Sequence, residues 1–157
     1  MIECPMTLAG KKLLEAELDQ LIKVDREDIK VAIAEARDLG DLKENAEYHA
    51  AKERQSHIEG RIMDLQSKLA RARVVDTASI KSEKIVFGAF VKVYDQQKDI
   101  EVSFQIVGED EAMTDNKKVS YNSPLGKALI GKEVGDEAIV KAPKGDLVYE
   151  VQDIRYS

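Results

Sequence analysis

Tryptophan is absent from this chain, phenylalanine occurs three times and cysteine once. Aromatic residues make up only 5% of the total, so any sizeable core must be built from aliphatic side chains. The single cysteine, Cys4, can form no internal disulfide, which fits a reducing compartment. No base can be argued to pair with it as a nucleophile, and it lies near a terminus expected to fray. No apolar run approaches the roughly 18 residues of a membrane span. The opening "MIECPMTLAGKK" lacks the apolar stretch of a signal peptide, so a cytoplasmic location and no membrane partner are expected. A net charge of −6 disfavours a broad phosphate-binding surface. Residues 1–76 carry 13 Lys/Arg against 16 Asp/Glu, and residues 77–157 carry 11 against 14. Each half is therefore −3, and neither is a basic nucleic-acid domain by net charge.

Charged residues are plentiful at 34%, and they fall into two unlike patterns. In the first half Glu44, Tyr48, Ala51, Gln55, Ile58, Ile62, Leu65, Leu69 and Ala72 recur at alternating steps of four and three. That is the seam of a coiled coil. Upstream, Leu14, Leu18, Leu21, Ile29, Ala32, Ala36 and Leu39 form a partner row, broken by polar Asp25 and by one step that does not fit the heptad. Thr7 is the expected N-cap of the first helix. No proline occurs between Pro5 and Pro124, so only "LGD" around Gly40 separates the two helices. A short connection makes them antiparallel neighbours. Roughly 30 residues per helix at about 1.5 Å each give a hairpin about 45 Å long.

After "DTASI" the period changes to two. "KIVFGAFVKVYD", "DIEVSFQIVG", "KKVSY", "DEAIVKAP" and "DLVYEVQDIRY" alternate apolar and polar residues, with "DQQK" and "PKGD" as turns. "NSPLGKALIG" predicts one short helix, capped by Ser123 with Pro124 at its first position. The expected fold class is α+β: a helical hairpin over residues 1–76 and a small antiparallel sheet domain over 77–157. The boundary is placed near Asp76 to Ser82.

The turn of the hairpin is the chemically unusual stretch. "ARDLGDLKENAEYHA" packs Asp38, Asp41, Glu44 and Glu47 around one glycine. Asp41 followed three residues later by Glu44 reads most simply as a variant capping box opening the second helix. Capping uses two acids, however, and four are present. Asp38 would lie at a helix C-terminus, where the dipole disfavours an anion. Exposed carboxylates are hard ligands suited to Mg²⁺, which is commonly held by one or two carboxylates together with phosphate oxygens. A protruding acidic tip is thus a poor metal site alone and a good half of one. Arg37, Lys43, Lys52 and Arg54 flank it; the plain reading is a solvated helix face, the functional one phosphate contacts by Arg37 and Lys52. His49 and His57 are eight residues apart, too far for an i,i+4 metal pair, and belong at the surface.

"GDLKENAEYHAAKERQSHIEGRI" resembles the bacterial Gre transcript-cleavage factors, most closely the GreA type. The likeness continues through "MTLAGKKLLEAELDQL", "VFGAFVKV", "YNSPLGKALIGKEVGD" and "YEVQDIRY". The resemblance implies a coiled-coil hairpin and an FKBP-like C-terminal domain that docks on RNA polymerase. In this family the hairpin enters the secondary channel, and its tip stimulates the polymerase's own cleavage of backtracked RNA near the nascent 3′ end. Asp41 and Glu44 match the tip acids. By that likeness they would help hold an Mg²⁺ shared with the polymerase and position the attacking water, with no cofactor of the chain's own. Asn45, Glu47 and Tyr48 would order the tip; Arg37 and Lys52 would lie near the RNA, though lysine lacks arginine's bidentate phosphate contact. Asn122, Ser123 and Pro124 match the docking loop. The acidic first half favours the GreA type, which implies a preference for short backtracked RNAs, and a monomer is expected.

Three other readings compete. A channel-binding inhibitor would carry an altered tip, whereas Asp41 and Glu44 are intact. A peptidyl-prolyl isomerase would want several aromatic pocket walls, and the second half offers only Phe87, Phe90, Phe104 and scattered tyrosines. A free-standing nuclease fails on ligand count, because the tip alone cannot hold two metals.

Overall fold

The structure is a computed structural model that describes residues 2–41 and 44–157. Two compact units divide the chain. Lys12–Arg71 forms the body of the first, and Glu3–Lys11 together with Ala72–Ser157 forms the second.

In the first unit, helices α1 (Leu8–Gln20, from Lys12 onward) and α2 (Arg26–Arg37) run out, and α3 (Ala46–Ala70) returns. The expected seam supplies the buried aliphatics Leu14, Leu21, Ile29 and Ala36 on one side and Ala51, Ile62 and Leu65 on the other. The step that breaks the heptad, Leu21 to Ile29, is eight residues long. A π-helical turn at Leu21–Asp25 absorbs the extra residue, so the apolar stripe continues from α1 into α2. Two details differ from the expected row. Ile33 is buried and belongs to the seam, while Leu39 lies beyond the end of α2 and is 69% exposed. Bidentate ion pairs clamp the helices from outside. Arg61 Nε and Nη2 reach Glu17 at 3.0 and 2.7 Å, and Arg26 Nε and Nη2 reach Glu59 at 2.8 and 2.9 Å. The hydrogen bond that Arg26 donates to Glu59 raises the pKa of Arg26 above its ordinary value.

The second unit holds a five-stranded sheet, with β3 (Phe90–Asp95), β4 (Ile100–Val107), β5 (Lys118–Ser120), β6 (Glu137–Val140) and β7 (Leu147–Arg155) in the order β5-β4-β3-β7-β6. Alternation along the strands turns Val91, Val93, Ile106, Ala138 and Val151 inward, where they meet Ile85 and Leu129 in an aliphatic core. An all-antiparallel sheet with one helix was expected; β4 and β5 are instead parallel. Parallel neighbours need a crossover, and a second short helix, α4 (Glu109–Ala112), lies within it. The anticipated helix α5 is present at Pro124–Leu129. The stretch beginning at Lys84 was expected to be strand throughout, but Val86–Ala89 is a turn closed by an Ala89 N to Val86 O hydrogen bond of 3.1 Å. Gly88 there has φ +92°, and a Cβ on it would come within 2.3 Å of Thr77. Tyr156 staples the preceding segment, donating to Lys84 O at 2.6 Å and accepting from Val86 N at 3.1 Å; burial raises its pKa.

The stretch around Cys4, expected to fray, is a strand instead. Cys4–Thr7 forms β1 and pairs in parallel with β2 (Ala72–Val75), Cys4 opposite Ala72 and Thr7 opposite Val75. This small sheet lies in the same unit as the larger one.

Candidate functional site at the hairpin tip

The turn is built from the end of α2 and the start of α3. Helix α2 stops at Arg37, and Asp38 is its C-cap, its N–H reaching Ala34 O at 3.4 Å. Gly40 follows with φ +140°, a conformation that side-chain-bearing residues rarely adopt. The chain then passes Asp41, and Glu44 lies in a turn just before the next helix. Lys43 falls outside the described residues.

The capping-box expectation is corrected here. The N-cap of α3 is Asn45, whose side-chain oxygen accepts from Tyr48 N at 3.0 Å. The same amide donates through Nδ2 to Ala36 O at 2.5 Å, in the last turn of α2. One side chain thus satisfies a free donor of the returning helix and adds a second donor to a carbonyl of the outgoing one, which also accepts from Leu39 N at 3.2 Å. Arg37 reinforces this link, its guanidinium lying 5.7 Å from the centroid of the Tyr48 ring. Tyr48 also packs against the Ile29, Ile33 and Ala51 cluster, and its ring meets His49 edge-on at 5.7 Å. Arginine in the last turn of α2 and Glu47 in the first turn of α3 both complement the helix dipoles.

Asp38, Asp41, Glu44 and Glu47 are all exposed, and Asp41 and Glu44 occupy the turn rather than either helix. Lys52, one turn along, is exposed and donates to Gln55 Oε1 at 3.2 Å. His49 and His57 are exposed as expected. No cluster of three or more His, Cys, Asp or Glu side chains able to hold a metal occurs among the described residues. The donor set at the tip therefore fits Mg²⁺ only as part of a site: hard, exposed oxygens, too few to enclose the ion.

The proposed docking residues lie in the second unit, apart from the tip set. Ser123 caps α5, accepting from Gly126 N at 3.0 Å and donating to Ser120 O at 2.7 Å. Pro124 occupies the first turn of α5 and is exposed. Asn122, also exposed, donates through Nδ2 to Glu109 Oε1 and accepts from the Ser120 hydroxyl. A Cβ at Gly126 would lie 2.0 Å from Ser120 O, so this tight turn admits only glycine there. A cavity of about 250 Å³ on the same unit has two aromatic walls, Phe90 and Phe104, among charged neighbours such as Lys92, Asp153 and Arg155. That lining gives the isomerase reading no support. Sequence reasoning missed Glu109 and Glu111, which look like any charged loop in "GEDEAM"; the local sequence carries no signal of their partners.

This architecture, an antiparallel helical hairpin with an acidic turn followed by a mixed-sheet unit, can be set against known proteins. Residues 4–74 match the family model "Transcription elongation factor, N-terminal", and residues 80–156 match "Transcription elongation factor, GreA/GreB, C-term". The chain belongs to the GreA/GreB family of transcription elongation factors. Within it the chain is of the GreA type. It is 55% identical over 153 residues to the transcription elongation factor GreA of Francisella philomiragia subsp. philomiragia, covering 97% of this chain and 96% of that protein. It is likewise 55% identical over 152 residues to GreA of Thermodesulfovibrio yellowstonii, with the same coverage. Among solved structures, the GreA factor homolog 1 (Gfh1) protein of Thermus thermophilus aligns over 98% of this chain and 99% of its own, at 29% identity and a TM-score of 0.45.

Proposed function

We propose that this elongation factor binds RNA polymerase in the cytoplasm and passes its hairpin tip through the secondary channel. There it stimulates the polymerase's intrinsic cleavage of backtracked nascent RNA, acting as an accessory and not as a nuclease in its own right. The observation that carries this reading is the division of labour at the tip. Asn45 caps α3 and ties its start to the end of α2, and Asp41 and Glu44 both stand exposed beside it.

Asp41 and Glu44 would hold an Mg²⁺ ion jointly with the polymerase, and a metal there would stabilise charge on the attacking or leaving oxygen. The chain's own residues do the remaining work. Asn45, Tyr48 and Arg37 tie the end of α2 to the start of α3, which would help pre-position the carboxylates between them. Either carboxylate can accept a proton from the attacking water. Arg37 and Lys52 would meet RNA phosphates, and Asn122, Ser123 and Pro124 would dock the second unit on the polymerase. The acidic composition of the hairpin half supports a preference for short backtracked RNAs.

The test is a polymerase halted in a backtracked state with labelled RNA and Mg²⁺. Added protein should shorten the RNA from its 3′ side and restore elongation. Binding without shortening would make the protein a channel-occupying inhibitor instead.

A further inference from the structure

On β3, Val91 and Val93 turn into the aliphatic core, so Phe90 and Lys92 turn away from it. The pairing registers carry this outward row across the sheet. Phe90 stands opposite Gln105 of β4 and Arg155 of β7, and Gln105 stands opposite Lys118 of β5. The next outward row sets Lys92 between Ser103 and Asp153. The cavity of about 250 Å³ opens over these two rows, and Asp115 and Lys117 flank it from the loop before β5. A second cavity of about 470 Å³ shares Phe90, Gln105 and Lys118 with it. All of these residues belong to the sheet unit.

Exposed charge pairs across strands keep an outward sheet face soluble, and two are present. Lys92 Nζ lies 3.0 Å from Glu101, and Arg155 Nε lies 3.4 Å from Asp153. Pairs this exposed contribute little in water, so a phosphate displaces them at small cost. Solubility does not call for a phenylalanine among them. Phe90 is nevertheless 37% exposed, with Arg155 beside it and Lys92 two residues along. Lys118 is held by the buried Glu111, its Nζ 3.0 Å from Oε2, which leaves Lys92, Lys117 and Arg155 as the cations for a ligand. Of the two lining acids, Asp115 closes its own turn, its Oδ1 accepting from Lys117 N at 2.9 Å. The cavity is thus richer in cations than in anions, in a chain whose net charge is −6. An aromatic ring stacks on any base, and lysine and arginine meet phosphate. Ser103 and Gln105 add a hydroxyl and an amide that suit a base edge. An acidic peptide would use the cations and leave the ring and the amide without a task.

We propose that this outward face of the sheet binds a nucleotide: the base against Phe90, its edge at Ser103 and Gln105, and its phosphate among Lys92, Lys117 and Arg155. A free nucleoside phosphate and one unit of a single-stranded RNA present the same chemistry. The site is independent of the hairpin tip and of cleavage stimulation.

The experiment titrates the full chain with ATP, a short oligoadenylate, inorganic tripolyphosphate and a polyglutamate peptide. EDTA is present throughout, so that no divalent metal links phosphate to the tip acids. Calorimetry reads affinity, and amide chemical shifts read location. ATP or the oligoadenylate should bind at millimolar concentration or below and shift residues 90–92, 103–105, 117–118 and 153–155. The tighter of the two identifies the source, free nucleotide or RNA. Phe90→Leu should weaken that ligand about tenfold. Arg155→Gln should weaken it about fivefold, and added salt should weaken it further. Tripolyphosphate should bind more weakly and ignore Phe90→Leu. Arg155 is a surface side chain, so Arg155→Gln decides the matter should Phe90→Leu fail to fold. Four results would overturn the site. One is no binding of either nucleotide ligand; another is binding that shifts only the hairpin or survives both substitutions. Tripolyphosphate binding as well as ATP would mark a mere anion patch. Polyglutamate binding more tightly than both nucleotide ligands would mark a surface for an acidic protein segment.

Discussion

Asn45 holds the hairpin turn with one amide group, accepting from Tyr48 N and donating to Ala36 O. Replacing it with alanine removes an N-cap and the bond to Ala36 O, a loss of about 1 kcal/mol or more. Chemical denaturation of Asn45→Ala should register that loss, whereas Glu44→Ala should change stability by less than about 0.5 kcal/mol. The reverse order would mean that Glu44, not Asn45, starts α3. Gly126 makes a second test at this scale. With Ser120 O only 2.0 Å from where a Cβ would stand, Gly126→Ala must displace backbone and should cost about 2 kcal/mol or more. An unchanged thermal midpoint would contradict that. The sequence motif marked the tip residues because they are neighbours along the chain. It did not say which of them caps, since aspartate, asparagine and glutamate compete for the same free N–H groups and only the backbone path decides between them.

At the scale of elements, the hairpin depends on an apolar seam that stays in register across an imperfect heptad. The period of the aliphatics is readable, and so is the misfit near Asp25. The π-helical turn that resolves it is less so, because an extra residue can be absorbed by a π-turn, a kink or a local change of supercoil. The ion pairs outside the seam set a modest further test. In a double-mutant cycle, Arg61 and Glu17 should couple by about 0.2–1 kcal/mol at low salt, and by less in 1 M salt. No coupling at low salt would mean that the bidentate contact does not persist in solution. In the sheet unit, the alternation of valines and isoleucines located all five strands of the large sheet. The parallel β4–β5 pair and helix α4 escaped notice because pairing direction is set by the crossover, and "EDEA" is too short to show a helical period.

For the whole molecule, local patterns gave a hairpin followed by a sheet, and the least legible features join distant stretches. Strand β1 pairs with residues that follow α3, and Thr7 meets Glu111 across 104 positions. Nothing within a few residues of either end encodes such a partner. Those same long-range links place the first turn of α1 in the unit that carries Asn122, Ser123 and Pro124. The proposed function needs two things of the chain, a grip on the polymerase and an acidic apex. The most direct test compares wild type with Asp41→Asn and Glu44→Gln on backtracked polymerase carrying labelled RNA, with polymerase binding measured by competition in the same reactions. Each variant should bind like wild type and lose cleavage stimulation by about a hundredfold or more. Variants that bind and cleave like wild type would show that the tip acids take no part in the chemistry.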